Sequence, residues 1–152
     1  IEPNREGYAH PDSYYVERYA VSGNSFYTMK NCGRNGVEAV LSYNAGLAMY
    51  RNGNASGAEE FFRKSLSLIP DYPDAMGNLA LALAENNRRD SALTVLQNYV
   101  RMYPNDKKGH INLGLLYKRA GMPDSALSVF NAAAFLFPDD SIIISECKRL
   151  IF

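Results

Sequence analysis

The sequence lacks an excess of charge of either sign, because its 152 residues hold 16 Lys and Arg against 16 Asp and Glu. A zero formal net charge removes the main sequence argument for a nucleic-acid partner. The sequence also has no apolar run long enough to cross a membrane, and no signal peptide opens it. The first residue is Ile1 rather than Met, so we expect a fragment or a processed form, and the compartment stays open.

Side chains that catalyse reactions or bind metals are few. The two cysteines, Cys32 and Cys147, are far apart and form no metal-type pair, so we expect free or buried thiols rather than a disulfide. His10 and His110 lack a carboxylate or Cys neighbour arranged for metal binding or for a catalytic triad. A satisfied or solvated histidine is the better interpretation of both. We therefore expect no cofactor, no metal and no catalysis of its own.

The sequence does contain enough apolar residues for a core. Hydrophobic residues make up 47% of the chain and charged residues 21%, which is typical of a globular protein rather than a disordered one. A compact chain of this length buries roughly 68–70% of its unfolded surface, as one domain.

An internal repeat with a period of 34 residues organises this composition. Its columns are the triplets Asn44, Asn78 and Asn112; Gly46, Ala80 and Gly114; Gly53, Asn87 and Gly121; Ala58, Ala92 and Ala126; Phe62, Leu96 and Phe130; Leu68, Met102 and Leu136; and Pro70, Pro104 and Pro138. Agreement in so many columns with no gap indicates a stacked array of similar units.

Each unit is predicted to be a pair of helices. In the first unit, apolar and small residues recur at helical spacing over 39–50, the run "RNGN" at 51–54 breaks the pattern, and a second helix follows over 56–69. Pro70 ends that helix, because proline cannot continue it. The small residues at 46 and 58 then have a reason: two antiparallel helices joined by a short turn must approach closely.

On these columns the chain resembles the tetratricopeptide repeat family, with units at 39–72, 73–106 and 107–140. The resemblance implies an all-α, right-handed α-solenoid of helix-turn-helix repeats. The sequence departs from the family where a bulky aromatic is usual early in the first helix, since Ser42, Met76 and His110 stand there.

The two ends of the chain are interpreted separately. Apolar residues at helical spacing in 141–152 predict a C-terminal capping helix, with the aspartates at 139 and 140 as its cap; the alternative is the first helix of a fourth repeat. Its polar residues Glu146, Lys148 and Arg149 are expected to turn outward or toward the groove. Residues 1–38 do not follow the repeat. Tyr15, Val16 and Tyr19 fall on one side of a helix that could begin at Pro11, so we expect a divergent helical cap, or else a segment that fills the groove or mediates dimerisation.

The resemblance also implies a site, because the first helix of each tetratricopeptide unit lines the concave surface. Carried over residue by residue, the predicted peptide- or partner-binding residues are Tyr43, Asn44, Leu47, Tyr50, Arg51, Asp74, Asn78, Leu81, Glu85, Lys108, Ile111, Asn112, Leu115, Lys118 and Arg119. This mixture of apolar, amide and charged groups suits an extended peptide or a partner helix. For Leu47, Leu81 and Leu115 the competing interpretation is ordinary packing between repeats. For the three asparagines it is hydrogen bonding to the neighbouring helix.

Two features predict the kind of ligand. Lys108, Lys118 and Arg119 favour acidic segments at the C-terminal end of the groove. The carboxylate clamp that some family members use for chaperone C-termini is incomplete, because Tyr43 and Leu47 replace its first-repeat Lys and Asn, although Asn78 and Lys108 match. Chaperone-tail binding is therefore not predicted.

The sequence thus predicts a non-enzymatic protein-interaction module with a protein or peptide partner, no nucleic-acid partner and no direct membrane insertion in this fragment; the oligomeric state stays open. Two alternatives stay open. One is a recruiting domain of a larger enzyme or membrane assembly, such as a glycosyltransferase, and the other is a structural or oligomerising spacer.

Overall fold

The computed structural model describes the backbone of residues 8–9, 15–21, 24–30 and 34–151, and the side chains of residues 35–151. Residues 34–151 are all-helical, as the sequence predicts. The helices are α1 (Arg34–Arg51), α2 (Ala55–Leu68), α3 (Pro73–Glu85), α4 (Arg89–Met102), α5 (Lys107–Arg119), α6 (Pro123–Leu136) and α7 (Ser141–Ile151). Each odd-numbered helix packs against the next one, giving three pairs and a C-terminal helix.

The turn inside each helix pair is made where the repeat predicts it. Gly53, Asn87 and Gly121 have φ values of 77°, 60° and 73°, in the left-handed region that glycine and asparagine tolerate best. The prediction of a positive-φ column is confirmed. After the third pair, Asp140 caps the start of α7: its Oδ1 accepts hydrogen bonds from two backbone N–H groups in the first turn of that helix.

The small residues of the first helices permit close approach. A Cβ added at Gly46 would lie 2.6 Å from Cε1 of Phe62, so the ring already occupies the space a side chain would need. The alanine column is fully buried, with Ala58, Ala92 and Ala126 all at 0% exposure. The close packing that the sequence predicts within each pair is therefore present.

The described helices share two hydrophobic clusters. The larger runs from α1 to α5 and includes the fully buried Phe62, Leu83 and Tyr99. The smaller lies between α6 and α7 and contains four buried residues: Ala126, Phe130, Ala133 and Ile143. Tyr117 of α5 packs against both clusters and so links them.

The departures from the family pattern are accommodated by burial. Ser42, Met76 and His110 are all buried, although none is the usual bulky aromatic. His110 Nε2 lies 2.8 Å from the carbonyl oxygen of Pro104, which confirms the prediction of a satisfied histidine. Cys147 is a free, half-buried thiol, whereas Cys32 and His10 lie outside the described residues.

The prediction of an N-terminal helix near residue 15 is wrong. Tyr8–Ala9 (β1), Tyr15–Val21 (β2) and Asn24–Lys30 (β3) form an antiparallel sheet in the order β1-β2-β3. A spacing of four residues puts two tyrosines on one side of a helix and also of a strand, so the pattern did not discriminate. Tyr and Val favour strands, and every residue of β2 is paired with one of β3.

The first helix also starts earlier than predicted. The sequence places a loop at 30–36 and the first repeat at 39, whereas α1 begins at Arg34. Neither Gly36 nor Asn35 ends the helix, because the downstream apolar face continues through that turn and packing outweighs weak helix propensity.

The helix α7 continues the register of the first helices with one difference. Glu146 lies 34 residues after Asn112, and Ile143 is fully buried against α6. However, Lys148 stands in the column that holds Gly46 and Gly114 in the repeats. A further second helix could not approach α7 as closely as Phe62 approaches Gly46, which supports the interpretation of α7 as a cap.

Candidate functional site

The first helices of the units, α1, α3 and α5, and then α7, are joined side to side by polar contacts. Asn78 Nδ2 of α3 donates to the Tyr43 hydroxyl of α1 at 3.1 Å, and Lys108 Nζ of α5 donates to Asp74 Oδ1 of α3 at 3.3 Å. We call the surface of these four helices the inner face. It carries Tyr43, Asn44, Leu47, Tyr50, Arg51, Asp74, Asn78, Leu81, Glu85, Lys108, Ile111, Asn112, Leu115, Lys118, Arg119, Glu146 and Arg149.

The amide of Asn78 is largely used within the protein. Its Nδ2 donates to the Tyr43 hydroxyl and to the backbone oxygen of Asp74 at 2.8 Å, so both N–H groups have acceptors. Tyr43 is itself held by Tyr72, with ring centroids 5.1 Å apart. Asn78 therefore retains only its carbonyl oxygen for a ligand.

The other two asparagines of the column differ from Asn78. Asn44 is exposed, whereas Asn112 is half-buried with its Nδ2 near the backbone of Gly77, 3.6 Å from where a Cβ would stand. The three residues share a column but not an environment. Bonding to the neighbouring helix, the competing interpretation, accounts for Asn78.

Four ion pairs hold the cations of α5. Lys107 pairs with Asp140 at 2.7 Å, Lys108 with Asp74 at 3.3 Å, Lys118 with Glu146 at 2.6 Å and Arg119 with Glu85 at 3.3 Å. The cations predicted to favour an acidic ligand are thus already matched by acids of the protein. Charge counting along the sequence did not predict this pairing, because the partners lie in different repeats.

Glu146 lies on the inner face, one of the two positions that the sequence left open for it, but its pairing was not predicted. Its carboxylate accepts from Lys118 and, at 2.9 Å, from Arg149 of its own helix, and its side chain is only 8% exposed. The hydrogen bond from Lys118, reinforced by Arg149, holds the pKa of Glu146 below its ordinary value although burial opposes this. The available signal was its position, since Glu146 extends the column of Asn112 by one period.

The three leucines of the inner face divide into two groups. Leu47 packs against the larger hydrophobic cluster and Leu115 against the smaller one, as the packing interpretation holds. Leu81 is half-buried, but among the side chains of residues 35–151 it belongs to neither cluster. Leu81 is therefore the leucine whose exposed surface a ligand could cover without disturbing the core.

Arg51 and Tyr50 form the N-terminal end of the inner face. Arg51 is exposed, and within residues 35–151 no acid pairs with it. Burial, followed by the nearby Glu85 carboxylate, raises the pKa of the Tyr50 hydroxyl, so Tyr50 remains a neutral hydrogen-bonding group.

A cavity of about 550 Å³ lies away from the inner face, between α2 and the α3–α4 turn. Its buried carboxylate, Glu59, accepts hydrogen bonds from Arg63 at 2.9 Å, from Asn86 at 3.0 Å and from Arg88. Burial acts to raise the pKa of Glu59, but these hydrogen bonds outweigh it and hold the pKa below its ordinary value. The acceptor is occupied by the protein, so this cluster joins two repeats rather than forming a ligand site.

Over the residues that the structure describes, no group of three or more His, Cys, Asp or Glu side chains could hold a metal ion. None of the described helices is long and apolar enough to span a membrane.

Residues 49–110 match the family model for the tetratricopeptide repeat, and no curated protein matches the chain. A solved tetratricopeptide domain of Arabidopsis OM64 is similar at a TM-score of 0.69 and 19% identity, covering 77% of this chain and 97% of that one. The first tetratricopeptide domain of Spaghetti (RPAP3), bound to an HSP90 peptide, is similar at 0.69 and 16% identity, covering 78% and 96%.

A third similar structure is a mutant O-GlcNAc transferase of Thermobaculum terrenum. Its TM-score is 0.68 at 22% identity, and the match covers 79% of this chain but 23% of the transferase. What this chain shares with these structures is the fold, a solenoid of paired helices. In this chain the odd-numbered helices form one continuous face.

Proposed function

Since residues 49–110 match the tetratricopeptide repeat model and residues 34–151 share the fold of solved tetratricopeptide domains, we propose that this chain is a protein-interaction module whose inner face binds an extended peptide or a partner helix, without catalysis of its own. The observation that carries the proposal is the inner face itself. Polar contacts between successive first helices hold its backbone in place, while the side chains of Leu81, Arg51 and Asn44 keep surface free for a partner. A preformed face of this kind lowers the entropic cost of binding.

The similar structures support a peptide ligand without identifying it. The RPAP3 domain is described with a bound HSP90 peptide, and it shares this fold. In this chain, Asn78 donates both N–H groups internally and Lys108 pairs with Asp74, so two groups that match the carboxylate clamp are engaged. We therefore propose a peptide partner other than a chaperone C-terminus.

The proposal is tested by selecting a displayed library of random ten-residue peptides on the purified protein and measuring affinities of the enriched peptides. Leu81→Ser should weaken binding by about tenfold, since one buried leucine contributes about 1.5–3 kcal/mol. Leu136→Ser is the matched control, because Leu136 is a 43% exposed leucine on α6, outside the inner face.

The outcomes separate the proposed function from the alternatives. Loss of binding in Leu81→Ser with unchanged binding in Leu136→Ser, both variants melting as the wild type does, supports the inner face. The opposite pattern would move the interface to the second helices. No enrichment of any peptide, together with a stable oligomer in light scattering, would favour the oligomerising spacer.

A further inference from the structure

The cations of α5 are arranged symmetrically between two sets of acids. Lys107 and Lys118 pair toward Asp140 and Glu146 on the α7 side, whereas Lys108 and Arg119 pair with Asp74 and Glu85 of α3. The helix itself contains no acidic residue. Every cation of α5 thus has an acid of a neighbouring segment as its counter-ion.

Burial is unequal within these pairs. The side chains of Glu146 and Asp74 are 8% and 9% exposed, whereas Lys118 and Lys108 are 39% and 45% exposed. A ligand arriving from solvent meets a cation that a largely buried carboxylate of the protein already neutralises. An added carboxylate on the ligand would then face a fixed like charge in a region of reduced dielectric constant, which is unfavourable.

Resting on the proposed function, we propose that Asp74, Glu85 and Glu146 determine the specificity of the inner face by excluding acidic segments. The three carboxylates occupy in the protein the positions that acidic residues of a ligand would take beside Lys108, Arg119 and Lys118. The inner face accordingly accepts an extended segment with neutral and apolar side chains, which covers Leu81 and bonds the remaining amide groups. This reverses the preference for acidic segments that the sequence predicts.

Glu146 has the largest effect of the three. It neutralises two cations at once, with 2.6 Å to Lys118 Nζ and 2.9 Å to Arg149 Nη1. In the preceding units the same column holds Asn44, Asn78 and Asn112, which are uncharged. Replacing Glu146 by a neutral amide would leave two cations at the C-terminal end of the inner face without their counter-ion, and so create a site for an acidic residue.

The experiment repeats the peptide-library selection on the wild type and on Glu146→Gln, which preserves the shape of the side chain. We expect the wild-type pool to be depleted of Asp and Glu. Peptides enriched on Glu146→Gln should carry an acidic residue near one end and bind this variant at least about tenfold more tightly than they bind the wild type. Raising the salt concentration should reduce that gain. Glu60→Gln, which neutralises an exposed acid on α2, is the matched control and should select the wild-type pool.

A second variant protects the test against loss of folding. The side chain of Glu85 is 47% exposed, so Glu85→Gln should fold normally and show a smaller gain for acidic peptides beside Arg119. If the peptides enriched on the wild type are acidic, the specificity proposal is overturned. It is also overturned if Glu146→Gln and Glu85→Gln fold but bind acidic peptides no more tightly than the wild type does. Either result leaves the proposal of peptide binding intact. A wild type that enriches no peptide would overturn the proposed function and this inference with it.

Discussion

The ring of Phe130 presses against Gly114 so closely that an added Cβ would lie 2.6 Å from its Cε2 atom. Gly46 and Phe62 show the same relationship in the first unit. In the second unit the corresponding residues are Ala80 and Leu96, so a larger first-helix residue stands opposite a smaller partner. The size of one residue therefore constrains the size of the other across each helix pair.

This relationship predicts the result of a double-mutant cycle. Gly114→Ala should lower the free energy of unfolding by about 1–3 kcal/mol, because the buried ring must move. Adding Phe130→Leu should recover part of that loss, since the second unit already uses an Ala with a Leu. Thermal or urea unfolding of both single variants and the double variant measures the coupling.

The control for this cycle is Gly77→Ala. A Cβ at Gly77 would meet Tyr99 at 3.4 Å, an ordinary contact, so the gain in helix propensity of about 0.5–1 kcal/mol should dominate. Equal losses for Gly114→Ala and Gly77→Ala would show that glycine is not required for close approach.

Asn78 and Asn44 should respond differently to truncation. Asn78→Ala removes hydrogen bonds to Tyr43 and to the Asp74 backbone, and should cost about 0.5–1.5 kcal/mol of stability. Asn44→Ala, at an exposed position, should stay within about 0.5 kcal/mol of the wild type. Both values follow from the denaturant midpoints, with a common slope of unfolding free energy against denaturant concentration. Similar losses of stability at the two positions would contradict the structural role assigned to Asn78.

The turn at Asn87 offers a stabilising substitution. Its φ of 60° lies where glycine has no steric penalty and alanine has one of about 1–2 kcal/mol. We expect Asn87→Gly to raise the melting temperature slightly and Asn87→Ala to lower it. Calorimetric melts of the two variants should move in opposite directions; a shift in the same direction would disagree with a left-handed residue at this turn.

Stability should fall with pH below the ordinary glutamate pKa of 4.5, because Glu59 and Glu146 both have lower pKa values in the folded chain. The hydrogen bond from Lys118 is the main cause for Glu146; for Glu59 burial acts against the shift and hydrogen bonds from two arginines outweigh it. A group with a lowered folded pKa binds fewer protons when folded, so its contribution is present above the unfolded pKa and is lost as pH falls.

The pH dependence is checked by melting temperatures measured from about pH 7 to about pH 3. The wild type should lose stability only in the acidic part of this range. The double variant Glu59→Gln with Glu146→Gln should melt lower at neutral pH but lose less on acidification. Parallel curves for the two proteins would exclude these carboxylates as the cause.

The period of the sequence predicted the helical array well, because close packing repeats with the chain. The columns of Gly46 and Phe62 hold small and large apolar residues respectively in every unit, because the two helices of a pair pack closely only with that combination. The N-terminal strands were missed for a physical reason, since Tyr15 and Tyr19 share a side in a helix and in a strand alike. The pairing of Glu146 with Lys118 was missed because charge partners depend on how neighbouring repeats stack.

The division of the hydrophobic core into two clusters affects how often α7 opens. The cluster that holds α7 contains four buried residues, of which α7 itself supplies only Ile143, so we expect α7 to be the segment of least local stability among the described helices. Its backbone amides should exchange with deuterium faster than those of α3. Each opening of α7 carries Glu146 away from Lys118, and the exclusion of acidic segments lapses until the helix closes again. Selectivity at this end of the inner face is therefore a time average, set by how long α7 stays closed.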